Sequence, residues 1–102
     1  MRRIEPTNAF KRDYKRESKG KYKAALESDF AKVVQALATD EPLAERYRDH
    51  SLTGEWSDHR DTGEWSDHRD CHIKPDWVLI YRKPDAERLQ LVRLGSHSEL
   101  GL

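Results

Sequence analysis

The sequence predicts an α+β fold in which two N-terminal helices pack on a small antiparallel sheet. Three observations predict it. Apolar residues recur at helical spacing from Leu26 to Leu37, a β-branched and aromatic run spans Trp77 to Tyr81, and Pro-Asp turn signals flank that run on both sides. Helices first and hairpins afterwards is the element order of helices on one face of a sheet. At 102 residues the chain has room for one domain, 1–102.

The elements follow in order. A short first strand is expected at Arg2 to Glu5. Thr7 or Asn8 caps the first helix, with Phe10 and Tyr14 on one side at i, i+4. Ser18-Lys19-Gly20 ends it, with Gly20 expected in a left-handed C-cap. The second helix carries Leu26, Phe30, Val33, Val34 and Leu37 on one face, a core stripe, and Thr39-Asp40-Glu41-Pro42 stops it. Residues 43–55 read as irregular connection with an apolar anchor at Leu52. Strands are expected from Trp65 to Ile73, over Trp77 to Tyr81, and from Leu89 to Leu94, closed by Gly95. Lys74-Pro75-Asp76 and Lys83-Pro84-Asp85-Ala86 supply the turns between them.

Composition excludes several classes. The chain is 35% hydrophobic and 37% charged, with a mean hydropathy of −1.04. Its longest apolar run is Trp77 to Tyr81, far short of the roughly 20 residues that cross a bilayer. No membrane partner is expected, and MRRIEPTNAF lacks the apolar segment of a secretory leader. One cysteine, Cys71, rules out an internal disulfide, points to the cytoplasm, and reads as a buried inert thiol in a strand. Net charge is zero, yet residues 1–23 hold nine Lys or Arg against three acids. A basic end of this kind suits a polyanion or an acidic protein, and equally a solvated helix face.

The most unusual feature is a repeat. Thr53 to Asp61 is followed at once by the same nine residues, Thr62 to Asp70, a tandem duplication too short for a solenoid. Side chains alternate along a strand with period two, so an odd insertion absorbed in the ladder would turn Cys71 and Ile73 to the wrong face. The fold should expel one copy as loop. The second copy is expected to take the strand and the first to lengthen the connection after Leu52, because doubling a loop costs only about 0.6 kcal/mol. The opposite choice unpairs the strand end and exposes Ile73, at a few kcal/mol. Exchange of a segment between two chains, giving a domain-swapped dimer, is a further outcome of an altered connection.

Chemistry-bearing residues gather in the C-terminal half. Histidines stand at 50, 59, 68, 72 and 97, with aspartates beside most of them. Imidazoles serve as acid or base near neutral pH. RNA cleavage by the neighbouring 2'-hydroxyl needs only a base, an acid and a cation on the phosphate. A metal site at His59 and His68 is the rival, but no HExxH or CxxC spacing supports it. No metal or other cofactor is expected.

From residue 49 onward three ordered strings stand out. They are Asp49-His50-Ser51-Leu52-Thr53-Gly54-Glu55-Trp56, then Arg69 through Tyr81 (RDCHIKPDWVLIY), then Arg93 through Leu100 (RLGSHSEL). Together they resemble the YafQ branch of the RelE toxin superfamily, and with one repeat copy set aside the resemblance spans nearly the whole chain. The resemblance implies a small cytoplasmic toxin of a bacterial toxin-antitoxin pair. Such a toxin enters the 70S ribosomal A site, cuts the bound mRNA, and is neutralised by a cognate antitoxin. It implies catalytic roles for His50, Asp70, His72, Asp76 and His97, with Arg93 on the scissile phosphate. His97 and Asp76 are expected next to the reacting groups, with His50 and His72 orienting or transferring protons, while the division into base and acid stays open. Family members often end in an aromatic residue soon after the His97 position, whereas this chain ends Leu100-Gly101-Leu102. Two other readings stand beside this one. In the first, the repeat leaves an attenuated or engineered variant that binds antitoxin or ribosome without cutting. In the second, a related toxin acts on another target such as gyrase, which would not need the His50, His72 and His97 set.

Overall fold

The computed structural model describes residues 1–48, 50–51 and 68–100, with the backbone alone at His50 and Ser51. Strand β1 (Arg3–Pro6) leads into helix α1 (Asn8–Glu17), followed by α2 (Lys23–Glu27) and α3 (Asp29–Ala38). A 3-10 turn at Glu45–Tyr47 precedes β2 (His50–Ser51), β3 (Arg69–Lys74), β4 (Trp77–Arg82), β5 (Arg88–Gly95) and the one-turn helix α4 (His97–Leu100). The sheet order is β1-β5-β4-β3-β2. The architecture is α+β, as the element order predicts. The sheet is mixed rather than purely antiparallel, because β1 lies parallel to β5 with Ile4 opposite Leu89. The expected first strand exists, one residue further along, and the crossover through the helices makes its pairing parallel.

Thr7 is the N-cap of α1, its hydroxyl accepting from the Phe10 amide at 3.0 Å. Phe10 is buried, whereas Tyr14 is 40% exposed, and the core face of α1 continues instead through Asp13 and Glu17. The helix ends where expected but not by a left-handed glycine. Ser18, in the right-handed region, is its C-cap, and Gly20 donates to the Glu17 carbonyl at 3.1 Å. Among the described non-glycine residues, the left-handed positions are Asp40 (φ 59°), which turns the chain out of α3, and Arg48 (φ 46°). The expected second helix is two, broken at Ser28, whose hydroxyl donates back to the Ala24 carbonyl at 3.2 Å. Its apolar stripe survives the break, and all five residues are buried.

One sheet face and the helices enclose the main core, which includes Phe10, Phe30, Leu37, Cys71, Trp77, Leu79, Tyr81, Leu89 and Leu94. Cys71 is fully buried, as the strand reading expects. Trp77 is fully buried, stacks on Tyr22 at 4.7 Å, and donates its indole N–H to Glu17 Oε1 at 2.6 Å, which satisfies both polar groups inside the core. Tyr47 is a buried anchor in the described part of the connection, and the expected anchor Leu52 lies outside the described residues. Strand β3 takes Arg69 and Asp70 from the second repeat copy. The rest of the expected strand from Trp65 lies outside the described residues, except His68, which is buried. The Lys74-Pro75-Asp76 turn is tight, with Lys74 opposite Trp77 across it.

Candidate active site

The opposite sheet face carries the site. Cross-strand partners share a face, so the register places residues in rows. His50, Asp70, Ile80 and Arg93 are successive partners across β2, β3, β4 and β5. Two residues along, His72, Val78 and Gly95 form the next row. Val78 and Ile80 are fully buried and pack with Val92 and Leu100 as a second, smaller core. This apolar patch supports the polar groups from below.

Three of the expected residues meet directly. Asp76, on the β3–β4 turn, receives His97 Nδ1 at 2.9 Å and the His97 backbone N–H at 3.3 Å on one carboxylate oxygen. His97 Nε2 faces His72 Nε2 at 2.9 Å, with the ring centroids 4.9 Å apart. His97 is not in open coil beyond the last strand. It begins α4, where Ser96 and Glu99 exchange hydrogen bonds on either side of it, and its side chain is 37% exposed. The hydrogen bond from His97 holds the Asp76 carboxyl below the usual carboxylate range, with the backbone bond reinforcing it.

The contact limits protonation. With the Nδ1 proton of His97 given to Asp76, one further proton sits between the two Nε2 atoms. Both imidazoles cannot point an N–H at each other, so the pair holds at most one positive charge while the contact lasts. One ring is then a proton donor and the other an acceptor.

Asp70 lies two residues from His72 on the same face of β3 and is buried. His50 is its cross-strand partner by backbone register. Arg93 meets Asp13 rather than the imidazoles. Its Nε and Nη2 reach the two Asp13 carboxylate oxygens at 2.6 and 3.3 Å. A cavity of about 390 Å³ opens beside His72, where Arg46, Arg48 and Lys74 outnumber the single acid Asp29, itself paired with Lys74. Among the described residues, no three His, Cys, Asp or Glu side chains gather as a metal ion requires.

Sequence reasoning missed Asp13, Arg16 and Glu99. Strand β1 ends at Pro6, opposite Leu91, so the edge of β5 beyond it has no strand partner among the described residues. Helix α1 replaces that partner. Asp13 Oδ2 accepts the Leu94 N–H at 3.0 Å and Arg16 Nη2 donates to the Leu94 carbonyl, also at 3.0 Å. The available signal was Asp13 at i+3 from Phe10, an acid on the core face. The Ser96–Glu99 spacing is equally readable as a capping box.

The model of a bacterial toxin of type II toxin-antitoxin systems, YafQ, matches residues 2–62 and 57–101. The chain belongs to the YafQ family. The two matched stretches overlap around the repeat. No curated protein sequence matches the chain. Among solved structures, a metal-bound toxin from Helicobacter pylori is 41% identical, covering 98% of this chain and 99% of that one at a TM-score of 0.73. A copper-bound mutant toxin from the same organism is 33% identical, with 98% and 99% coverage and a TM-score of 0.76. YafQ in the E. coli DinJ-YafQ complex is 27% identical, covering 98% of both chains at a TM-score of 0.73. This chain is thus a YafQ-type toxin in sequence and in fold, built on the RelE-like arrangement of helices over a sheet. No helix among the described residues is long and apolar enough to cross a membrane.

Proposed function

We propose that this toxin is a ribosome-dependent mRNA endoribonuclease of the cytoplasm, restrained by a cognate antitoxin. The observation that carries the reading is the Asp76–His97–His72 chain, two contacts of 2.9 Å ending in paired Nε2 atoms. The substrate phosphodiester enters between the two rings and replaces their mutual contact. One imidazole takes the 2'-hydroxyl proton as that oxygen forms its bond to phosphorus. The other protonates the 5'-oxygen as its bond to phosphorus breaks. The products are a 2',3'-cyclic phosphate and a free 5'-hydroxyl. Asp76 accepts the hydrogen bond from His97 Nδ1 and so aims Nε2 at the substrate, whichever role that ring takes.

Asp13 occupies two donors of Arg93 and leaves Nη1 for a phosphate oxygen, so Arg93 acts as a pre-oriented cation. Asp70 and His50, one row away, orient the imidazoles or pass protons to them. The cationic cavity beside His72 takes an adjoining nucleotide, its charge matching the RNA backbone. The E. coli relative bound to DinJ supports an antitoxin as partner. The second repeat copy supplies the strand and the first extends the connection before it.

The test maps cuts in mRNA on translating ribosomes for the full chain, a chain lacking 62–70, and His97→Ala in each. Cuts lost in His97→Ala bear the reading out. Cutting by the shortened chain alone makes the full chain the attenuated, noncatalytic binder. A metal arm is added, because a metal ion held by His72 or His97 would occupy a nitrogen that the proton relay needs. Added zinc then slows cleavage and a chelator restores it.

A further inference from the structure

We infer that Glu99 is a positioning residue for His97, closing a capping box on Ser96 that Arg16 braces from α1. The kinetic arm of this inference rests on the nuclease reading above, and the spectroscopic arm does not. Glu99 Oε1 accepts the Ser96 N–H at 2.9 Å, and Ser96 Oγ accepts the Glu99 N–H at 3.2 Å. This reciprocal pair satisfies two amides at the helix start. The other Glu99 oxygen lies 3.3 Å from Arg16 Nε. Helix α4 has four residues, far below the length at which a helix holds itself together. Its geometry therefore comes from its tethers, which are the box, the Arg16 brace, Asp76 and the burial of Leu100. His97 sits between the two box residues, so their geometry sets where its ring points.

Gly95 provides independent support. A Cβ there would stand 2.9 Å from Arg16 Nη2 and 3.3 Å from Glu99 Oε1. The missing side chain is the space in which these two groups approach. Arg16 also donates to the Leu94 carbonyl. One arginine thus links the helix layer, the last strand and the turn that presents His97.

The experiment uses ¹⁵N imidazole NMR on the full chain together with the ribosomal cleavage assay. In the wild type, His97 shows one tautomer with the proton on Nδ1. In Glu99→Ala, that signal moves to the average of an exposed imidazole and cleavage falls about 100-fold, the scale of an ångström-sized misplacement. Glu99→Gln keeps an acceptor for the Ser96 amide, and it retains the wild-type His97 signal and most of the rate. An unchanged His97 signal in Glu99→Ala overturns the inference, and so does an equal shift in both variants. Loss of fold in Glu99→Ala alone makes Glu99 a structural residue and also overturns it. A wild-type chain that never cleaves sinks the nuclease reading, while the imidazole spectra still decide the role of Glu99.

Discussion

The Asp76 carboxylate accepts two hydrogen bonds from His97, one from ring Nδ1 at 2.9 Å and one from the backbone N–H at 3.3 Å. A two-residue turn thereby fixes both the start of α4 and the tautomer of its first side chain. Asp76→Asn keeps an oxygen acceptor but removes the carboxylate charge that faces His97. The Asp76 side chain is 61% exposed, so stability should barely change. Single-turnover cleavage on the ribosome is expected to drop by about 100-fold. A full rate in Asp76→Asn would remove the carboxylate from the reaction.

Asp13 serves three partners from a buried position: the Arg93 guanidinium, the Leu94 amide and Arg16. Asp13→Ala leaves a strand amide unsatisfied and strips Arg93 of its counter-charge. The expected cost is about 3–5 kcal/mol, read from urea unfolding. Asp13→Asn retains an acceptor and should cost about 1–3 kcal/mol. Equal, small losses in both variants would mean that α1 does not complete the edge of β5.

Acid should loosen α4 before it unfolds the sheet. Asp76 is held below the usual carboxylate range chiefly by the His97 hydrogen bond, and Glu99 chiefly by the Ser96 amide. A carboxyl depressed in the folded state contributes stability that is complete above its unfolded pKa and lost as pH falls through its folded one. The contribution of both is therefore full at pH 6 and disappears below about pH 4. Imidazole and amide signals of His97 should change in that window, ahead of those of β4. Asp76→Asn combined with Glu99→Gln should flatten the response.

Much of this molecule is legible in the amino-acid order, for identifiable reasons. Trp77 to Tyr81 is a strand because β-branched and aromatic residues are bounded by turn chemistry on both sides. The stripe from Leu26 to Leu37 marks the buried helical face, but the break at Ser28 depends on a local hydroxyl bond that periodicity does not register. The parallel pairing of β1 with β5 joins residues more than eighty positions apart, which no local signal encodes. In the site, the family motif located His72, Asp76 and His97. Their convergence needed a β-turn and a helix cap to fall side by side. The partner of Arg93 was hidden because an acid on α1 reads as a surface residue.

The repeat makes a sharp stability prediction. His68 is buried at the entrance to β3, and its counterpart His59 occupies the same place in the first copy. If the second copy holds the structural position, His68→Ala lowers stability by about 1–3 kcal/mol and His59→Ala leaves it unchanged. Thermal melting of the two variants measures this. Equal shifts would mean that neither copy is preferred.

The side-by-side alignment of Arg3–Pro6 with Arg88–Leu91 has a temporal consequence. The first strand finds its neighbour only after residues 88 to 91 have been made, more than eighty positions later. Contacts of such long range form late. Residues 93 to 97, which carry the arginine and an imidazole of the proposed centre, follow that partner directly in the chain. A nascent copy whose residues 88 to 97 are still to be made therefore cannot assemble the proposed centre.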